Sequence, residues 1–181
     1  YLNVEQGKVD MVINRFDTMP QSFHQNTVWQ DSFSCLLTVD NPVLAGGFDL
    51  ESYLHAQHVW GSKTGMGVGV GVDPSAVQDL GWVDEALARL GRKRRITVFT
   101  RHYQVAVLLA TQKHLVVTVP SKLALLMRDN PRVAIKPPPF EIPPFELKMA
   151  WSPLLQRNPG HQWVRRLIGE VARELGGDAA A

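Results

Sequence analysis

Arg95-Ile96-Thr97-Val98-Phe99-Thr100, then Tyr103 to Lys113, then Leu115-Val116-Val117-Thr118-Val119, occupy the middle of the chain. The first stretch alternates polar and apolar residues, as a half-buried strand does. The second places Val105, Leu108 and Leu109 at helical spacing. The third is a near-continuous apolar run closed by Pro120, which reads as a buried strand. Ser121 then starts a helix over 122–127, and Val133 to Lys136 returns to strand. Strand, helix, strand, helix, strand predicts a parallel sheet joined by crossover helices.

Outward from this core the signals are local. Val9 to Ile13 reads as a buried strand, and residues 26–31 and 32–39 as one or two more, ended by Asp40-Asn41-Pro42. Asp49 is placed to cap a helix over 50–56, and His58-Val59-Trp60 follows as a brief strand. A helix over 82–90 has Val83, Leu87 and Leu90 on one face and Gly91 at its end. Pro137-Pro138-Pro139 and Pro143-Pro144 must be extended and read as a connector between lobes. Residues 146–151 are strand. Asn158 caps a last helix with Pro159 in its first position and Gly176 at its end. Within it Trp163, Val164, Leu167, Ile168, Val171 and Leu175 keep a helical period.

Composition narrows the class. The 181 residues suffice for one ordinary domain or two small lobes, and 45% apolar with 20% charged residues fits a soluble globular chain. A net charge of +2 is too weak on its own to argue for nucleic acid or membrane. Arg92-Lys93-Arg94-Arg95 can touch phosphate, but reads as a solvated turn whose charge suits the preceding helix C-terminus. One cysteine, Cys35, excludes an intrachain disulfide and reads as a buried structural thiol. No apolar run reaches membrane-spanning length and no signal peptide opens the chain. The first residue is Tyr1, so the chain is expected to begin inside a longer protein.

Chemistry-bearing motifs are few. Gly65-Met66-Gly67-Val68-Gly69-Val70-Gly71 lacks the Gly-Lys-Ser/Thr of a P-loop and the strand of a dinucleotide fingerprint, and reads as a mobile loop. Ser62-Lys63-Thr64-Gly65 follows a strand and offers hydroxyls and a cation; it can hold a small anion or be a solvated turn. Thr100-Arg101-His102-Tyr103 lies where a strand ends and a helix begins, the usual ligand position of open α/β sheets. Arg101 can clamp a carboxylate, His102 can hydrogen-bond, and Tyr103 can form a wall; the alternative is a helix start with exposed polar groups. The six histidines make no metal-ligand pattern, and nothing supports a catalytic residue or a cofactor. His24 and His114 read as surface residues. Asp84-Glu85 is explained by the helix macrodipole.

The order Gln6-Gly7-Lys8-Val9-Asp10-Met11-Val12-Ile13, Asp49-Leu50-Glu51-Ser52-Tyr53-Leu54, Trp82 to Gly91, Leu115 to Ala124, and the Trp151-ending strand with its capped helix resembles the regulatory domain of LysR-type transcriptional regulators. The branch it resembles includes nodulation and aromatic-degradation regulators. The resemblance implies an α/β fold: a two-lobed, periplasmic-binding-protein-like (type 2) domain with mixed, mostly parallel sheets. Lobe I would comprise residues 1–60 and 137–181 and be incomplete; lobe II would comprise 61–136. It further implies a small organic acid effector held between the lobes by His58, Ser62, Thr64, Thr100, Arg101 and His102. The DNA-reading winged helix-turn-helix is absent from these residues. A cytoplasmic homodimer or homotetramer is implied, without membrane contact, cofactor or enzymatic activity.

Two other functions share the same physics. A solute-binding protein of a transporter would have the same cleft, and a small α/β enzyme acting on an organic acid would need a reactive residue that the sequence does not reveal.

Overall fold

The structure, a computed structural model, describes residues 2–16, 21–61 and 73–176. The chain divides into two compact units, residues 1–31 with 144–181, and residues 32–143.

The larger unit is built on a five-stranded sheet. Its strands are β3 (Phe33–Thr38), β4 (Gln57–Gly61), β5 (Arg95–Thr100), β6 (Leu115–Pro120) and β7 (Val133–Lys136), in the order β5-β4-β6-β3-β7. β4 runs parallel to both β5 and β6, whereas β3 runs antiparallel to both β6 and β7. Helices cover both faces, which is why the central strands place apolar residues on both faces rather than on one, as Leu36 and Leu37 of β3 and Val116 and Val117 of β6 do. On one face Leu36, Val59, Val117 and Val119 pack against Ala106 and Val107 of α5 (Tyr103–Leu109) and Ala124 of α6 (Ser121–Ala124). On the other, Cys35, Leu37 and Val116 meet Tyr53 and Leu54 of α2 (Leu50–His55), and Leu87 of α4 (Trp82–Arg89) completes the cluster. Asp49 starts α2 with a reciprocal cap: its side chain accepts from Ser52 N, and the Ser52 hydroxyl accepts from Asp49 N. A short α3 (Val77–Leu80) precedes α4.

The smaller unit has a three-stranded antiparallel sheet, β1 (Met11–Asn14), β8 (Phe145–Trp151) and β2 (His24–Asp31), with β8 in the middle. α1 (Leu2–Glu5) precedes β1 and α7 (Pro159–Glu174) packs over the sheet, joining Ile168 and Ala172 to Val28, Met149 and Trp151. Asn158 caps α7 by accepting from His161 N, with Pro159 at the first turn. Arg165 lies 4.4 Å over the Trp151 ring and donates to the Leu155 and Gln156 carbonyls and to His161 Nδ1. His161 therefore carries its hydrogen on Nε2, which donates to the Asp10 carbonyl at 3.2 Å. His24 is exposed and stacks on Trp151 from β2.

Several sequence expectations change. The compact units divide at 31/32 and 143/144, with β3 and β4 hydrogen-bonded to β6 in the larger one, whereas the resemblance implies lobe boundaries at 60/61 and 136/137. β7 follows the parallel pattern in the sequence but pairs with β3, whose insertion beside β6 makes the sheet mixed. Leu90, expected on the apolar face of α4, is 52% exposed. The predicted helix over 122–127 is one α-helical turn followed by a 3-10 turn at Leu125–Met127. Asp84 and Arg94 are not solvated charges: both are buried, against each other.

Candidate functional site

Parallel pairing brings two strand ends together. Gly61 at the end of β4 lies opposite Thr100 at the end of β5, so the segments after both strands leave from the same sheet edge. This is the carboxyl-end position where open α/β sheets bind ligands. Arg101 and His102 are exposed there, and Arg101 has no ion-pair partner among the described residues. Thr100 is half-buried, its hydroxyl 3.4 Å from His102 N. Tyr103 turns back under the strand end: a Cβ on Gly61 would sit 2.8 Å from Tyr103 Cδ1, so only glycine permits this approach. Ser62 and Thr64, and the glycine-rich stretch 65–71, lie outside the described residues.

His58 is placed differently from the surrounding site residues. It has no solvent exposure; its Nε2 donates to the Tyr53 carbonyl at 2.6 Å and its ring lies 4.3 Å from the Tyr53 ring. Burial, and then the nearby Arg94 charge, lower its pKa to about 3, so the imidazole is neutral. In this structure it joins α2 to β4 from inside the core.

Beside it lies a polar cluster that the sequence reading missed. Arg94 Nε and Nη2 donate to Asp84 Oδ1 and Oδ2 at 2.9 and 2.6 Å. Burial works against the Arg94 charge, but Tyr53 and Asp84 outweigh it, and the pKa lies above the ordinary arginine value. The Tyr53 hydroxyl is 2.8 Å from Thr118 Oγ1, which is 3.5 Å from Cys35 Sγ. Burial pushes the Cys35 thiol up to about 12, so it is no nucleophile. A small recess near the end of β4 is walled by Phe33, Trp60, Trp82 and Tyr103, with Arg94 and Thr118 as polar lining. At about 10 Å³ it has room for one water. The only sequence signal for this cluster was the acidic Asp84 eight residues before a basic run, which reads equally well as two surface features. Among the described residues no group of three metal-ligating side chains converges, and no helix is long and apolar enough to cross a membrane.

Comparison with known proteins assigns the family. The LysR substrate binding domain matches residues 2–173. The transcriptional regulator SyrM of Rhizobium meliloti (strain 1021) is 27% identical over 173 residues, covering 96% of this chain and 50% of SyrM. The transcriptional activator NagR of Ralstonia sp is 23% identical, covering 95% of this chain and 53% of NagR. The regulatory domain of MexT, a transcriptional activator in Pseudomonas aeruginosa, superposes with a TM-score of 0.70 at 23% identity, over 93% of this chain and 76% of that one. The regulatory domain of MetR, a LysR family regulator from N. meningitidis, gives 0.66 at 11% identity, over 96% and 73%. The fold is thus the two-lobed, periplasmic-binding-protein-like α/β architecture of these regulatory domains, and the chain spans about half the length of the curated relatives it matches. It belongs to the LysR substrate binding domain family.

Proposed function

We propose that this chain is the effector-sensing domain of a DNA-binding transcriptional regulator, and that it binds a small organic anion such as an aromatic carboxylate. The observation that carries the reading is the pairing of Gly61 with Thr100, which starts the Ser62–Thr64 segment and the Arg101–His102 segment from neighbouring strand ends. In this reading Arg101 clamps the carboxylate, and the hydroxyls of Ser62, Thr64 and Thr100 together with His102 complete its hydrogen bonds. The relatives are named as helix-turn-helix regulators, which supports DNA binding through a separate domain. The ligand prefers one arrangement of the protein and shifts the population toward it, with no bond made or broken. The regulator then works in the cytoplasm as a homodimer or homotetramer, without enzymatic activity. Isothermal titration of the chain with acetate, benzoate and salicylate tests this. One of them binds, and Arg101→Ala weakens it by about 1–3 kcal/mol, a charged hydrogen bond lost. Unchanged affinity in that variant removes Arg101 from the site.

A further inference from the structure

The larger unit holds a ligand-sized pocket that Arg101 and His102 do not line. It has a volume of about 320 Å³ and lies between α3–α4 and the edge strand β5. That is at the lower end of the roughly 300–1,000 Å³ typical of small-molecule sites. Val77, Leu80, Ile96 and Phe99 give it an apolar lining, and Arg92 and Lys93 give it two cations.

The lining depends on a β-bulge. Along β5, Ile96 pairs with His58, Val98 with Val59 and Phe99 with Trp60, so Thr97 is an extra residue. In a regular strand Ile96 and Val98 would share a face and Phe99 would lie opposite. With the extra residue, Val98 enters the α5-side core, whereas Ile96 and Phe99 both reach the pocket. Phe99 packs against Trp60, whose indole Nε1 is held by the Leu80 carbonyl at 2.9 Å. The apolar wall is therefore fixed by backbone register.

The charge is available to a ligand. Lys93 is exposed and has no ion-pair partner among the described residues. Arg92 pairs with Glu51, but both side chains are well exposed, and such a pair is exchanged at little cost. Arg94 is already neutralised by Asp84 and contributes wall rather than charge. We propose that this pocket binds a small carboxylate with an apolar body: the body lies against Ile96, Phe99, Val77 and Leu80, and the carboxylate is held by Lys93 and Arg92. Neither Arg101 nor His102 lines this site, and it does not depend on their loop being the effector site.

The test uses the full chain, titrated with hexanoate and followed by amide NMR, with hexanol as the uncharged control. Saturable shifts at Val77, Lys93 and Ile96 are expected, with hexanoate tighter than hexanol. Lys93→Glu, an exposed substitution, should raise the Kd about tenfold, since it turns one ion pair into a repulsion. Ile96→Trp, checked for folding by its amide spectrum, should fill the pocket and abolish binding. Shifts confined to residues 100–102, an unchanged Kd in Lys93→Glu, or equal affinity for hexanol would each overturn the proposal. A carboxylate that depends on Arg101 and not on Lys93 would overturn it while leaving the strand-end reading intact.

Discussion

The carboxylate of Asp84 and the guanidinium of Arg94 meet as two parallel hydrogen bonds, 2.9 and 2.6 Å long, with side chains only 8% and 3% exposed. The pair ties α4 to the start of β5, and hence to the edge of the sheet whose far end carries Arg101. Removing one partner of such a pair leaves an uncompensated buried charge, at a cost of about 3–5 kcal/mol. Asp84→Ala is accordingly expected to lower the unfolding free energy in urea by about 3 kcal/mol. Combining it with Arg94→Met, which removes the stranded charge, should recover a large part of the loss. A single-variant loss below about 1 kcal/mol would show that the pair is solvated in solution.

His58 makes stability depend on pH. Its folded-state pKa is depressed from 6.5 to about 3 by burial and by Arg94. Between these values the unfolded chain binds a proton that the native chain does not, so stability is full above pH 6.5 and falls as pH drops toward 3. At about 1.4 kcal/mol per pH unit, the loss by pH 5 is about 2 kcal/mol. His58→Phe, which keeps an aromatic ring but cannot take up a proton, should flatten this slope. Urea midpoints measured at pH 7 and pH 5 compare the two proteins directly, and equal slopes would remove His58 as the cause.

What could be read from the sequence was local chemistry. The caps of α2 and α7 rest on Asp49 and Asn158, which act within three residues of themselves. β5 is bounded correctly by its alternation. Its bulge is not legible, because Arg95-Ile96-Thr97-Val98-Phe99-Thr100 alternates as a regular strand would; the extra residue exists only in the pairing with β4. Arg94 looked like its neighbours in a basic run, and its burial depends on Asp84 arriving from another element. His58 was placed on a ligand by resemblance, yet the ring is enclosed by Tyr53, five residues earlier, across the turn from α2 to β4. Of the expected site, the shared origin of the two strand-end segments follows from the parallel order of β4 and β5. The membership of β3 in the larger unit is not legible either, because no sequence signal tells that it hydrogen-bonds to a strand more than eighty residues away.

Cys35 is enclosed between β6 and α2, and burial holds its thiol near pKa 12. At pH 8 the native protein should react with DTNB at least about 100-fold more slowly than the guanidinium-unfolded chain, since reaction requires both a thiolate and an opening of the core. Comparable rates in the two states would mean that this core opens readily.

Gly61 provides the test closest to the strand-end site. A methyl group there would lie 2.8 Å from Tyr103 Cδ1 and 3.1 Å from Cε1, with Ala106 Cβ at 3.6 Å. The contact involves the near side of the ring rather than a flexible tip, so the start of α5 must shift to relieve it. Overpacking of this kind costs about 1–3 kcal/mol. Gly61→Ala is thus expected to destabilise the chain by that amount and, because Arg101 and His102 immediately precede α5, to weaken carboxylate binding as well. Tyr103→Ala removes the obstructing ring. In the double variant the two losses should sum to clearly less than the single-variant total, with a coupling of about 1 kcal/mol or more. Strict additivity would mean that Tyr103 does not pack on Gly61 in solution, and that the strand end and the helix start move independently.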